Sequence, residues 1–131
     1  MALRKKKILV IEDDAEMRSL LKDFIEEEEG YEADSVGDGS EAFRKLAKEH
    51  FDLILTDIKM PGLSGMDILP GLKKLKPQSL IIVITAFGSE EVYRRALKRG
   101  ADAYLEKPIH LEELRILMQK LVFPEANKMG E

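Results

Sequence analysis

Uninterrupted apolar runs and amphipathic stretches alternate along the chain, and this alternation predicts a strand followed by a helix five times. Residues 8–11, 53–55 and 80–84 are apolar without polar interruption, which is typical of strands covered on both faces. Residues 32–36 and 103–105 predict two shorter strands. The polarity of 32–36 indicates a position toward the edge of the sheet.

After each predicted strand, apolar residues recur at helical spacing. The five stripes predicted to face the core are Met17, Leu20, Leu21, Phe24 and Ile25; Ala42, Phe43, Leu46 and Ala47; Met66, Ile68, Leu69, Leu72 and Leu75; Val92, Ala96 and Leu97; and Leu111, Leu114, Ile116, Leu117 and Leu121. Strands that alternate with helices in this way predict an open parallel α/β sheet with helices on both faces and right-handed crossovers.

Local signals indicate where the helices begin and end. Ser40 and Ser89 are predicted N-caps, and Gly30 and Gly100 are predicted to close the first and fourth helices. Proline has no backbone N–H and crowds the preceding turn, so the Pro70-Gly71 pair predicts a kink or a late start in the third helix, which otherwise begins at Ser64-Gly65.

Composition supports one folded domain. The 131 residues are 44% hydrophobic and 35% charged, which is enough apolar material for a core. We expect the domain to occupy residues 1–122, followed by a polar tail over 123–131 that frays.

Charge and cysteine content exclude several classes of protein. A net charge of -4 and a pI of about 5.4 argue against a nucleic-acid-binding surface, and the basic run at residues 4–7 is interpreted as a solvated lead-in to the first strand. The absence of cysteine excludes disulfides and thiolate metal sites.

No apolar run approaches the ~20 residues of a membrane span, and we see no signal peptide. We expect a cytoplasmic protein without membrane contact.

Polar side chains follow the carboxyl ends of the strands, where open parallel sheets bind ligands. Glu12 and Asp13 follow the first strand, Asp57 the third, Thr85 the fourth and Lys107 the fifth. Taken alone, Asp57 is ambiguous, because aspartate often simply begins a turn. Since a strand buried on both faces cannot hold an ionised side chain, we expect Asp57 to lie past the apolar run, where the loop before Pro61-Gly62 opens to solvent.

The convergence of Glu12, Asp13 and Asp57 indicates a cation, because neighbouring carboxylates repel one another and raise each other's pKa values. Oxygen ligands favour a hard divalent ion, and magnesium fits better than calcium since few protein ligands leave positions for water and phosphate oxygens. A carboxylate beside such a metal can attack phosphorus. Lys107 would neutralise the phosphoryl charge and the Thr85 hydroxyl would hydrogen-bond to it.

Four motifs carry a family resemblance: I-L-V-I-E-D-D, L-I-L-T-D-I-K-M-P-G-L-S-G-M, I-I-V-I-T-A-F-G and D-A-Y-L-E-K-P. With them, residues 7–122 resemble the receiver domain of two-component response regulators. The resemblance implies a flavodoxin-like, doubly wound (βα)5 fold whose five parallel strands lie in the order 2-1-3-4-5.

The resemblance also implies roles at the site. Asp57 would accept a phosphoryl group from a phosphohistidine of a sensor histidine kinase. Asp13 would bind magnesium directly, Glu12 through water, and Lys59 with its backbone carbonyl. Glu12 stands where aspartate is common in the family, so Asp14 is a second candidate for that role, although it is more simply a helix N-terminal acid.

Further implied roles concern the output. Thr85 and Lys107 would contact the phosphoryl group, Lys107-Pro108 would be a cis peptide, and Tyr104 would turn inward as Thr85 moves. The signal would reach a downstream effector domain or protein through the fourth helix, fifth strand and fifth helix, and a phosphorylation-linked homodimer is left open. The candidate residues on this surface are Tyr93, Arg94, Lys98, Arg115 and Gln119.

We therefore expect a signalling switch that catalyses its own phosphotransfer and slow dephosphorylation, which bulky Lys59 and Phe87 would retard. Two other classes are weaker. A flavin-binding electron carrier needs a phosphate-cradling loop, and the acidic loop after the first strand would repel phosphate. A magnesium-dependent phosphatase with an aspartate nucleophile has a second aspartate two residues later, where Lys59 stands.

Overall fold

The computed structural model describes residues 4–58, 65–86 and 88–124. Within these ranges strands and helices alternate. In chain order they are β1 Lys6–Ile11, α1 Ala15–Glu27, β2 Tyr31–Val36, α2 Gly39–Lys48, β3 Leu53–Asp57, α3 Gly65–Leu75, β4 Leu80–Thr85, α4 Glu90–Lys98, β5 Ala103–Glu106 and α5 Leu111–Val122. All strand pairs are parallel, in the order β2-β1-β3-β4-β5, which confirms the predicted fold and the edge position of β2.

The alternation of side chains along each strand supplies two separate cores. One core joins residues such as Val10 and Leu55 to α1 and α5, and the other joins Leu9 and Ile54 to α2, α3 and α4. Both faces of the sheet are therefore covered, as the continuous apolar runs predict. No helix among the described residues is both long enough and apolar enough to cross a membrane.

The register of the strands brings their carboxyl ends level. Ile11 pairs with Thr56, Asp57 with Ile84, and Thr85 with Glu106. The residues at and just after these positions consequently share one edge of the sheet, although they are up to about 95 positions apart in sequence.

The ends of the helices show where the predicted caps were right and wrong. Ser89 caps α4, and Gly100 follows its last turn at φ +120°, as predicted. Asp38, and not Ser40, caps α2 through a 2.8 Å hydrogen bond from the Glu41 amide. The α1 helix ends at Glu27, so Gly30, at φ +93°, shapes the turn into β2 instead of closing the helix.

The apolar stripes were predicted too broadly. Several members lie on the rims of their helices and are exposed, because neighbouring positions differ by about 100° around a helix and a narrow contact covers only the central ones. These exposed members are Leu20, Ala47, Leu75, Leu97 and Ile116. Met118, outside the predicted stripe of α5, is fully buried.

The α3 helix continues through Pro70, so the predicted late start is wrong, while Ser64 lies outside the described residues. Proline offers no N–H to the carbonyl four residues earlier, which belongs to Met66. That carbonyl accepts a hydrogen bond from the Arg99 guanidinium at 3.2 Å. Gly71, next in sequence, admits the Phe43 ring: a Cβ at Gly71 would lie 2.9 Å from Phe43 Cζ.

Candidate functional site

The structure places Asp57 and Lys107 in direct contact at the carboxyl edge of the sheet. Lys107 Nζ lies 2.5 Å from Asp57 Oδ2. Two backbone hydrogen bonds fix the segments that carry them: Ile58 N–H donates to Ile84 O at 2.9 Å, and Lys107 N–H donates to Thr85 O at 2.8 Å. The pair is therefore held by the ends of β3, β4 and β5 together.

Asp57 is buried, which corrects the expectation that it opens to solvent. It is the last residue of β3 and only 5% exposed. Burial of a carboxylate is tolerated when a cation pairs with it, and the Lys107 ammonium fulfils that condition. Thr85, the last residue of β4, is equally buried at the same edge.

Glu12 is a buried acid at the site, and its pKa is raised. It directly follows β1 and is 3% exposed, and its Oε1 lies 3.8 Å from Lys107 Nζ. Burial, followed by the charge of Asp57, raises the pKa of Glu12 to about 7, although Lys107 acts in the opposite direction. Within the described part of the chain, the buried Oε2 of Glu12 has no hydrogen-bond partner.

The pKa of Lys107 depends on the neighbouring acids of the site. Partial burial lowers the pKa of Lys107, but the hydrogen bond to Asp57 and the charges of Asp57, Glu12 and Asp13 outweigh it, so the net direction is upward. The lysine is thus held as a cation between two buried carboxylates. An anionic group that approached Asp57 would meet this cation.

Asp13 lies at the edge of the cluster and is exposed. Arg18, which is not among the predicted site residues, holds the loop that carries Asp13: the guanidinium donates to Glu12 O at 2.8 Å and to Asp13 O at 3.4 Å. A basic residue in the first turn of a helix that directly follows an acidic loop is the sequence signal from which Arg18 could have been predicted. Asp14 is the N-cap of α1, as interpreted, with a 3.1 Å bond from the Glu16 amide.

The three acids are not gathered into a preformed metal cluster. Among residues 4–58, 65–86 and 88–124, no three His, Cys, Asp or Glu side chains are close enough together to hold a metal ion. The donor chemistry nevertheless fits a hard cation, since the buried carboxylates supply oxygen ligands, and one of these is Glu12 Oε2, which has no hydrogen-bond partner among the described residues. Lys59 lies outside the described residues, as do Pro61-Gly62 and Phe87.

Tyr104 is on the face of β5 that α4 covers, and it is 41% exposed. Its ring stacks on that of Tyr93 from α4, with centroids 3.7 Å apart and an angle of 8° between the planes. The Tyr93 hydroxyl donates to Glu106 Oε1. The Lys107-Pro108 bond is cis, as expected.

The predicted output surface is divided. Tyr93 meets Tyr104, and Arg94 pairs with Glu90 on exposed α4. Arg115 and Gln119, however, line a groove with Glu28 and Tyr31, on the side of α5 toward α1. Their inclusion with the α4 residues was wrong, because the inward stripe of α5 turns them toward the end of α1.

Comparison with known proteins identifies the family. Residues 8–119 match the model of the response regulator receiver domain. The chain belongs to this family.

Its relatives include the response regulator PilR of Pseudomonas aeruginosa, 35% identical over 96% of this chain and 29% of PilR. Sporulation initiation phosphotransferase F of Bacillus subtilis is 30% identical over 95% of this chain and 100% of the relative. A CheY-like receiver domain from Methanospirillum hungatei superposes with a TM-score of 0.86 at 31% identity, covering 95% and 98% of the two chains.

Family membership gives the coarse function: the chain is a receiver domain of two-component response regulators, a phosphorylation-activated switch. It also decides against the flavin-carrier and phosphatase alternatives. The chain spans less than a third of PilR but the whole of the sporulation phosphotransferase, so relatives of very different length carry this domain.

Proposed function

We propose that Asp57 accepts a phosphoryl group from a phosphohistidine on a sensor histidine kinase. The observation that carries the proposal is the 2.5 Å contact between Lys107 Nζ and the buried Asp57 Oδ2, at the edge of the sheet where α/β proteins bind ligands. A carboxylate that is buried, paired with a cation and placed at this edge is positioned for nucleophilic attack.

In the reaction, an Asp57 carboxylate oxygen attacks phosphorus and forms the O–P bond while the P–N bond of the phosphohistidine breaks. The Lys107 ammonium neutralises charge on the phosphoryl oxygens, and the Thr85 hydroxyl donates a hydrogen bond to one of them. Both groups belong to segments tied together by the Lys107 N–H to Thr85 O bond. Their positions therefore change together when the phosphoryl group arrives.

Magnesium is the metal that this donor set favours, with Asp13, Asp57, Glu12 through water and the Lys59 backbone carbonyl as ligands. Bound there, it would offset the charge of the acids and of the phosphoryl oxygens. A response regulator of Burkholderia pseudomallei, 28% identical with a TM-score of 0.80, is described with a phosphorylated aspartic acid and a calcium ion, which supports a divalent cation at this type of site.

The output would pass through Thr85 and Tyr104 to the surface formed by α4, β5 and α5, where an effector domain or protein binds. On α4 this surface presents Tyr93, Arg94 and Lys98. A beryllofluoride-activated NtrC4 receiver, 32% identical, is described as a dimer, which supports a homodimer as one form of output. We place the protein in the cytoplasm with its kinase, and the chain works as a switch, not a metabolic enzyme.

The decisive test is incubation with acetyl phosphate, with and without magnesium, read by intact mass. Wild type should gain one phosphate only with magnesium, and Asp57→Asn should gain none. Asp23→Asn, an exposed carboxylate on α1, is the matched control and should behave as wild type. Absence of phosphate on the wild type would instead indicate a receiver fold kept as a phosphorylation-independent binding module.

A further inference from the structure

We propose that Tyr93 is a positioning residue that holds Tyr104 in its exposed orientation and so restrains the switch. The inference rests on the proposed function, in which Tyr104 turns inward on phosphorylation. Two observations carry it: the parallel stack of the two rings, with centroids 3.7 Å apart, and the hydrogen bond from the Tyr93 hydroxyl to Glu106.

The two contacts attach α4 to β5 at two points. Tyr104 and Glu106 are two residues apart on one strand, so both project from the same face of the sheet. Tyr93 spans them, covering the Tyr104 ring with its own ring and reaching Glu106 with its hydroxyl. A shift of the Tyr104 ring toward the interior must break the stack, while the bond to Glu106 keeps Tyr93 from following.

Gly88 leaves the space that the Tyr93 hydroxyl occupies. A Cβ at Gly88 would collide with the Tyr93 hydroxyl and lie 2.5 Å from Glu106 Oε1. The backbone of Gly88 is not in the left-handed region, so the position requires glycine for room and not for its conformation. Any side chain there would displace Tyr93 from Glu106.

The restraint is linked to the phosphorylation site through β4 and β5. Thr85 pairs with Glu106 in the register of the two strands, and Thr85 O accepts the Lys107 N–H. Glu106 thus lies between the residue that would sense the phosphoryl group and the tyrosine that would hold Tyr104. Stacked aromatic pairs of this kind shift an equilibrium about two- to tenfold.

The test uses protein labelled with 3-fluorotyrosine, which has three resonances, from Tyr31, Tyr93 and Tyr104. Tyr31 is buried in the other core and serves as the internal reference. Beryllofluoride with magnesium is titrated into wild type, Tyr93→Leu, Tyr93→Phe and Gly88→Ala, and the midpoint is read from the Tyr104 resonance. Tyr93→Phe keeps the stack and removes the bond to Glu106.

We expect the Tyr104 resonance of Tyr93→Leu to differ from wild type before any addition, and the midpoint to fall about two- to tenfold. Tyr93→Phe and Gly88→Ala should lower it by less. An unchanged midpoint in Tyr93→Leu, with a responsive wild type, would overturn the restraint alone. No response in wild type would overturn the proposed function and the restraint with it.

Discussion

The two ends of β3 each carry an aspartate, and the two differ in what satisfies the carboxylate. Asp52, just before the strand, accepts a hydrogen bond from the Lys7 backbone amide at 2.8 Å. Asp57, at the other end, meets the Lys107 side chain at 2.5 Å. A backbone amide is fixed by the fold, whereas a lysine side chain can move to accommodate an incoming anion. We therefore expect Asp52 to serve the architecture of the sheet and Asp57 to serve the proposed phosphotransfer.

Hydrogen bonds to the backbone recur along the amino edge of the sheet. The residues that immediately precede β3, β4 and β5 are Asp52, Ser79 and Asp102, and each bonds to the backbone of a neighbouring segment: Ser79 Oγ donates to Phe51 O at 2.6 Å, and Asp102 accepts from Ile81 N at 2.8 Å. At the carboxyl edge, Glu12 keeps a buried oxygen without a hydrogen-bond partner among the described residues. Among these residues, the buried oxygen without a partner therefore lies at the carboxyl edge, where we propose the function.

The largest effect should separate the two aspartates of β3. Asp57→Asn removes the proposed nucleophile, so phosphate incorporation from acetyl phosphate should fall to background, while Asp52→Ala should retain it. Intact mass after a fixed incubation measures both. Phosphorylation of Asp57→Asn at the wild-type level would show that another residue is the acceptor.

Loss of the Lys107 ammonium should slow phosphorylation and lower stability together. In Lys107→Met, Asp57 and Glu12 lose the ammonium between them, and we expect a phosphorylation rate lower by an order of magnitude or more. The free energy of unfolding should fall by roughly 1–3 kcal/mol, less than for a fully buried pair because Lys107 is partly exposed. Urea unfolding measures the latter, with Lys107→Arg as the charge-conserving control. Wild-type stability in Lys107→Met would mean that the pair contributes nothing to folding.

Magnesium should stabilise the folded protein only by binding at the carboxyl edge of the sheet. At about ten times its dissociation constant, the ion should raise the free energy of unfolding by about 1.4 kcal/mol, and EDTA should remove the gain. The gain should be much reduced in Asp57→Asn and unchanged in Asp52→Ala. Equal stabilisation of both variants would place the ion elsewhere.

The smallest effects belong to the amino edge. Asp52→Ala leaves the Lys7 amide without its acceptor, which should cost about 1–2 kcal/mol. Ser79→Ala removes the bond to Phe51 O and should cost about 1 kcal/mol. Both variants should be phosphorylated at the wild-type rate. A slower phosphorylation rate in either variant, at an equal folded fraction, would show that the amino edge also affects the reaction.

The sequence alone predicted the order of strands and helices along the chain, the carboxyl edge as the place of the candidate site, and the residues Glu12, Asp57, Thr85 and Lys107 that lie there. These conclusions depend on periodicity, on residues that follow apolar runs, and on the motifs of the family. Each of these signals lies within a short segment of the sequence. In a parallel sheet the carboxyl ends of the strands lie at one edge, so the residues of these segments come together there.

Only the tertiary structure decided which side chains meet between elements. Three contacts join segments that lie 11 to 50 residues apart in the sequence. Asp57 is buried against Lys107, Arg99 donates to the Met66 carbonyl that Pro70 cannot reach with an N–H, and Tyr93 stacks on Tyr104. Contacts of this kind depend on how helices rotate and settle on the sheet. A shift of one helical position turns a side chain by about 100°, so spacing along the chain does not specify them.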